Sequence, residues 1–266
     1  MSANILSIAG SDPSGGAGIQ ADIKAISANG GYAMAAITAL TAQNTQGVSR
    51  VELTTPDMVA EQIAMIRSDI RVDAVKIGML GSSAIVKAVE KALDGLDAPI
   101  VLDTVMVAKG GDRLLQADAV AALRDHLLPR ANIITPNLPE AADLLGEDEV
   151  QDEAGMMRQA TALLDLGAQA VLLKGGHLKT DRSRDLLLWQ DGDEWLEAPR
   201  HLTHNTHGTG CTLSAALAAW LGRGAGMPEA VRAAKAYVTG AIAASDLLDV
   251  GRGHGPTHHF HAMWRV

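Results

Sequence analysis

Apolar positions recur in two rhythms along this chain of 266 residues. Short, continuous apolar runs alternate with longer stretches of helical period. Asn4–Gly10 (NILSIAG) reads as a buried strand. Gly18–Asn29 carries Ile19, Ile23 and Ile26 near helical spacing, and Gly30-Gly31 stops it. Ala33–Leu40 reads as a strand again. Pro56–Ile70 is helical: Pro56 and Asp57 suit a first turn, and Val59, Ile63 and Ile66 share one face. Ala74–Ile77, Pro99–Leu102, Asn132–Thr135 and Ala170–Lys174 are short apolar runs ended by Gly, Asp or Pro. Between them, segments near 82–95, 117–127, 138–145 and 153–167 read as helices. Leu186–Trp189, Asp191-Gly192-Asp193 and Trp195–Ala198 predict a hairpin with an Asp-Gly turn. Two Ala-rich helices, near 210–222 and 228–247, close the pattern.

Repeated β-α units imply an α/β fold with a mostly parallel central sheet covered by helices on both faces. That is a three-layer αβα sandwich. No internal repeat or Pro/Gly/Ser-rich linker interrupts it, so residues 1–266 read as a single domain. Ligands in such sheets bind outside the carboxyl ends of the strands. Those ends carry Gly10-Ser11-Asp12, Gly78-Met79, Asp103-Thr104, Pro136-Asn137 and Lys174-Gly175-Gly176-His177. Glycine and polar residues gather where the topology places a site.

Composition narrows the function. Hydrophobic residues make up 47% and charged residues 20%, enough apolar material for a large core. A formal charge of −9 argues against broad nucleic-acid or anionic-membrane binding. Aromatics at 3% leave little to stack single-stranded bases on. The start Met1-Ser2-Ala3-Asn4 lacks the basic residues of a signal peptide, and no apolar run is long enough to span a bilayer. A cytoplasmic protein is the expectation. The one cysteine, Cys211, excludes an internal disulfide.

Four segments carry candidate chemistry. After the first strand, Gly16-x-Gly18-x-x-Ala21 formally satisfies a dinucleotide fingerprint. The turn from Gly10 to Gly16 is too long for that motif. Thr38-Ala39-Leu40-Thr41 stands where a ribose-binding acid is needed. The segment reads better as a loop whose glycines let the backbone approach a small ligand, with Asp22 reaching it from the first helix.

The second segment, Asn205-Thr206-His207-Gly208-Thr209-Gly210-Cys211-Thr212, opens straight into an apolar helix. Backbone N–H groups and the dipole at such a start make an anion site and favour charge on a transferring phosphoryl group. A free cysteine is usually a small buried hydrophobe. The place of Cys211 in the first turn favours a functional thiol instead, with its pKa lowered by the helix field.

Third, in Pro136-Asn137-Leu138-Pro139-Glu140, Asn137 and Glu140 form either a helix cap or a pair holding Mg²⁺ through waters. Spacing alone favours the cap. Fourth, Lys174 at a strand end faces the crevice and suits either phosphate charge or a plain solvated strand-end position. Asp103 at the same edge suits a Mg²⁺ ligand or a turn. The run Val107-Ala108-Lys109-Gly110-Gly111-Asp112 suits a flap. His254, His258, His259 and His261 match no structural zinc spacing, which favours a surface or packing role.

Together these motifs resemble the hydroxymethylpyrimidine/phosphomethylpyrimidine kinases of thiamine biosynthesis, within the ribokinase-like superfamily. The resemblance runs nearly the whole chain. It includes Ile8–Asp22, Thr41-Ala42-Gln43-Asn44-Thr45, Lys76-Ile77-Gly78-Met79-Leu80, Val101–Met106, Thr135–Glu140, Lys174–His177, Asn205–Thr212 and the His258–His261 tail. It implies a ribokinase-like αβα sandwich and ATP-dependent phosphorylation of 4-amino-5-hydroxymethyl-2-methylpyrimidine, then of its monophosphate. By that resemblance Gly10, Asp22, Gln43, Met79 and Val105 hold the pyrimidine. Asp103, Asn137 and Glu140 lie around Mg²⁺, and Lys174 and Asn137 near ATP. Gly208, Thr209 and Gly210 form the anion hole, and Cys211 is the base where wider relatives place an aspartate. A homodimer is also implied. Three other readings stand beside it: a pyridoxal or dual-substrate kinase, an NAD-dependent oxidoreductase, and a non-catalytic pyrimidine sensor. The absent ribose acid disfavours the oxidoreductase. The intact Gly208-Thr209-Gly210-Cys211 turn and Lys174 disfavour the sensor.

Overall fold

The computed structural model describes residues 2–106, 117–176, 178 and 182–264. The flap expected at 107–112 and His177 lie outside the described residues. Among the described residues nine strands join one sheet: β1 (Ala3–Ser11), β2 (Gly31–Asn44), β3 (Gly47–Leu53), β4 (Ala74–Ile77), β5 (Ile100–Leu102), β6 (Ile133–Ile134), β7 (Ala170–Lys174), β8 (Arg182–Trp189) and β9 (Gly192–Pro199). Their order is β3-β2-β1-β4-β5-β6-β7-β8-β9. From β2 to β7 neighbours run parallel. Only β3, β8 and β9 add on antiparallel.

The strands inside the sheet feed both faces because side chains alternate. Leu6, Ile8, Leu102, Ile134 and Leu173 pack under α2 (Pro56–Asp69), α3 (Ser83–Ala92), α4 (Ala117–Ala122), α5 (Leu138–Leu145) and α6 (Glu153–Asp165). Their neighbours Ile5, Val101, Ile133 and Leu172 face the other way. There they meet α1 (Gly18–Ala28), α7 (Thr209–Gly222) and α8 (Met227–Ala243). The result is the three-layer sandwich that the alternation predicted. No helix among the described residues is long and apolar enough to cross a membrane.

Three details differ from the sequence expectation. β2 runs on to Asn44 and turns into β3, which hydrophobic pattern does not mark because β3 is an exposed edge strand. Asn44 makes that turn, its Oδ1 accepting from the backbone N–H of Gln46 and Gly47 at 2.8 and 3.3 Å. The β8–β9 turn is Gln190-Asp191, one residue earlier than the Asp-Gly pair. Gly192 already pairs with Trp189 and lies beneath its indole ring.

β1 sits between β2 and β4, so the chain leaves it first to one side and then to the other. Such a switch point opens a crevice at the carboxyl ends of the two strands.

Candidate active site

A cleft of about 960 Å³ lies along that carboxyl edge. The ends of β1, β4 and β7 contribute Gly10, Met79 and Lys174, and the turn into α7 contributes Gly208 with Thr209 and Gly210 of its first turn. Gln43, Val105, Asp103, Asn137, Glu140 and Cys211 also line it. Asp22 does not. It is fully buried behind the wall, where its carboxylate accepts from Ser7 Oγ at 2.6 Å and Lys76 Nζ at 2.9 Å. Sequence placed Asp22 on the ligand; the fold aims it at a lysine that sequence did not single out.

Lys76 is the largest departure from expectation. It sits within the four-residue strand β4, wholly buried, yet lines the cleft. The signal was available: a charge inside an otherwise apolar central strand needs a buried partner. Burial works against its ammonium, but Asp22, Cys211 and Asp103 together outweigh burial, so its pKa stands above the ordinary lysine range. Burial in turn pushes the Asp22 carboxyl up, against the pull of Lys76. Lys76 also lies 3.9 Å from Asp103.

Asp103 is the hub of the site floor. Its carboxylate accepts from Thr135 Oγ1 at 3.2 Å and Ser214 Oγ at 3.0 Å. Lys174 Nζ stands 3.7 Å from Asp103 and 3.9 Å from Glu140, between the two carboxylates. Burial pushes the Glu140 carboxyl up, and Lys174 opposes it. Burial likewise works against the Lys174 ammonium, and the facing carboxylates outweigh it.

Asn137 and Glu140 form the capping box that their spacing favoured. Asn137 Oδ1 accepts from Glu140 N, and Glu140 Oε2 accepts from Asn137 N, both at 2.8 Å. The cap does not exclude a second role. Both residues still line the cleft, and the Glu140 carboxylate, with Asp103, already flanks a cation, the ammonium of Lys174.

The turn into α7 needs its first glycine. Gly208 has a φ of +75°, and a Cβ there would lie 1.8 Å from Gly16 O. A Cβ at Gly210 would come within 3.5 Å of Lys174 Nζ and 3.8 Å of the Asp103 carboxylate. The helix start and the strand-end lysine therefore converge. Backbone N–H groups, helix dipole and ammonium aim at one point, which suits an anion.

Cys211 follows in the first helical turn, half-buried in the cleft wall. Its thiol corrects the sequence expectation. Burial pushes it up to about 12 from an ordinary 9.0. Lys76 pulls it down, but Asp22 and Asp103 push it further up. The helix field was expected to lower it; desolvation and two carboxylates dominate. The sequence could not show either carboxylate's proximity.

The C-terminal histidines pack rather than gather round an ion. His258 and His259 are buried, and His259 Nε2 meets Thr212 Oγ1 at 3.1 Å on α7. Burial pushes His259 down to about 3. The tail thus ties α8 to the helix that carries the anion turn, with Tyr237 donating to His259 O at 2.7 Å.

Known proteins share about half of this sequence, and its fold. The family model for phosphomethylpyrimidine kinase matches residues 12–258. A hydroxymethylpyrimidine/phosphomethylpyrimidine kinase from Escherichia coli is 53% identical over 98% of both chains. Its counterpart from Rhizobium meliloti is 52% identical over 100% of both. Among solved structures, the Bacillus subtilis pyridoxal kinase in complex with ADP superposes with a TM-score of 0.92 at 38% identity, over 100% of each chain. A phosphomethylpyrimidine kinase from Clostridium difficile gives 0.81 at 41% identity, over 90% of this chain and 99% of that one. A cleft with an anion turn opposite a strand-end lysine, on a chain this similar over its whole length, settles the kinship: the protein belongs to the phosphomethylpyrimidine kinase family, with a ribokinase-like fold.

Proposed function

We propose that this chain transfers the γ-phosphoryl of ATP to 4-amino-5-hydroxymethyl-2-methylpyrimidine, and then phosphorylates the resulting monophosphate, in thiamine biosynthesis. The observation that carries the proposal is convergence. Gln43, Cys211, the Gly208–Gly210 turn and Lys174 line one cleft in a chain of this family. Gln43 offers an amide donor and acceptor to an aminopyrimidine edge. The anion turn and Lys174 receive the transferring group, where positioning and electrostatics supply most of the acceleration.

The donor set fits Mg²⁺. Asp103, Glu140 and the Asn137 carbonyl are hard oxygens, and Mg²⁺ uses one or two carboxylates plus waters and phosphate oxygens. Bound there, it would neutralise charge on the nucleotide phosphates. Lys174 then holds the phosphate side, and Gly210 keeps the approach clear of side-chain atoms.

Cys211 is the proposed base for the hydroxymethyl proton. A thiol held near 12 is protonated at rest, yet its thiolate is a correspondingly strong base. Lys76 is the cation that favours that thiolate. In the second step the acceptor is already an ionised phosphate and needs no base. Cys211→Ala is therefore expected to slow the first phosphorylation far more than the second, by about 10²–10⁴ for a lost general base. ADP release with the hydroxymethylpyrimidine, its monophosphate and pyridoxal, measured in parallel, checks both claims. Equal loss in both steps removes the base assignment, and activity on pyridoxal alone removes the substrate assignment. On the family resemblance alone, the proposal extends to a cytoplasmic homodimer.

A further inference from the structure

The Gln43 amide sits in a network whose protons can be counted. Asp12 is buried, and its carboxylate accepts four hydrogen bonds: Ser14 N at 2.9 Å, Ser14 Oγ at 2.7 Å, Ala17 N at 2.9 Å and His207 Nε2 at 2.8 Å. Burial opposes its charge, and the bonds from His207 and Ser14 outweigh burial, so Asp12 is ionised. A carboxylate only accepts, so His207 Nε2 must carry its proton. On the other side, Thr41 Oγ1 lies 2.9 Å from Ser11 O, which also only accepts. The single hydroxyl proton of Thr41 is therefore committed there.

Gln43 lies between these two groups. Its Nε2 is 3.4 Å from His207 Nε2, and its Oε1 is 3.2 Å from Thr41 Oγ1. That arrangement sets an N–H donor against an N–H donor. It also asks one hydroxyl proton to serve two acceptors. A half-turn of the amide exchanges O and N with almost no change of shape. It removes the N–H against N–H contact and leaves the Thr41 proton to Ser11: the Gln43 NH₂ donates to Thr41, and the Gln43 carbonyl takes the weaker 3.4 Å branch of the His207 Nε2–H that Asp12 accepts at 2.8 Å. One N–H and one carbonyl lone pair of Gln43 then remain for a ligand, in one fixed order.

We propose that Asp12, His207 and Thr41 lock the Gln43 amide in that orientation, and so make the acceptor site selective for the donor–acceptor order of the ring edge it binds. This rests on the proposed function, in which Gln43 meets the aminopyrimidine. A 4-amino ring offers an exocyclic donor beside a ring-nitrogen acceptor. The 4-oxo analogue offers the reverse order, an exocyclic acceptor beside a ring N–H. An amide free to turn accommodates either, whereas a locked amide rejects one. The fold supports the lock. A Cβ at Gly16 would meet His207 Cδ2 at 2.4 Å, so the glycine of the apparent dinucleotide fingerprint makes room for this imidazole. His207 N also donates to Gly255 O at 3.0 Å, which anchors the residue on the segment that follows α8.

The test is the ratio of kcat/KM for 4-amino-5-hydroxymethyl-2-methylpyrimidine to that for its 4-oxo analogue. Wild type should favour the amino compound strongly. His207→Leu removes one anchor and should narrow the ratio about tenfold or more, the value of one satisfied polar contact. Thr41→Val removes the opposite anchor without touching Asp12 and should narrow it likewise. His207→Gln restores a side-chain N–H near the position of Nε2 and should keep the ratio within about threefold. If His207→Leu does not fold, Thr41→Val and His207→Gln carry the decision. An unchanged ratio in Thr41→Val, or a collapse in His207→Gln as large as in His207→Leu, overturns the lock. A wild-type enzyme inactive on both compounds instead counts against the proposed function.

Discussion

Because the chain has a single cysteine, thiol chemistry reads one site without background. Cys211 is half-buried but lines the cleft, so a small alkylating reagent reaches it. Its thiol stands at about 12 against an ordinary 9.0, a difference of three pH units. Alkylation requires the thiolate, so at pH 8 Cys211 should react about a thousandfold more slowly than a free thiol. Its rate should still be rising at pH 10. The perturbation is Asp22→Asn. This removes a buried carboxylate that pushes the thiol up and leaves Lys76, which pulls it down, in place. A fall of one pH unit would speed alkylation at pH 8 about tenfold. The assay is iodoacetamide labelling followed by intact mass across pH 6–10, with unfolded protein as the free-thiol reference. A wild-type midpoint at or below 9, or slower labelling in Asp22→Asn, would refute the assignment of burial and the two carboxylates as the dominant forces on this thiol.

Two further outcomes follow from the buried charges. Lys76→Met leaves the Asp22 carboxylate buried without its cation and should cost about 3–5 kcal/mol in urea denaturation. The Lys76→Met/Asp22→Asn double variant should lose clearly less than the sum of the singles, and simple additivity would show that the pair is not coupled. His259 stays neutral in the fold, held near 3 against an ordinary 6.5. The unfolded chain takes up its proton below 6.5, so this contribution is present above 6.5 and is lost as pH falls toward 3. The slope is up to about 1.4 kcal/mol per pH unit. Stability measured from pH 7 to 4 should fall less steeply in His259→Gln.

The fold layers were legible in the chain because burial leaves a periodic trace. β1, α2, β4 and β7 match their apolar runs almost residue for residue, since each must hide one stripe or both faces in the core. β3 left no such trace, being an exposed edge. The carboxyl-edge location of the site was legible too, because Gly10, Asp103, Asn137 and Lys174 end or follow strands. The capping box was readable from spacing, as caps are local.

What only the tertiary structure decided were the long-range pairings. Asp22 and Lys76 are 54 residues apart in the chain, and Asp12 and His207 are 195 apart. No local pattern reports such distances, yet they turn Asp22 from a ligand contact into the partner of a buried lysine. Burial, helped by the Asp22 and Asp103 carboxylates, also reverses the expected direction of the Cys211 pKa. The sequence by itself determined which elements form and at which edge the chemistry gathers, because periodicity and strand ends are properties of short segments. The structure decided which charges face one another, because electrostatic energy depends on distance and burial, and the folded chain sets both.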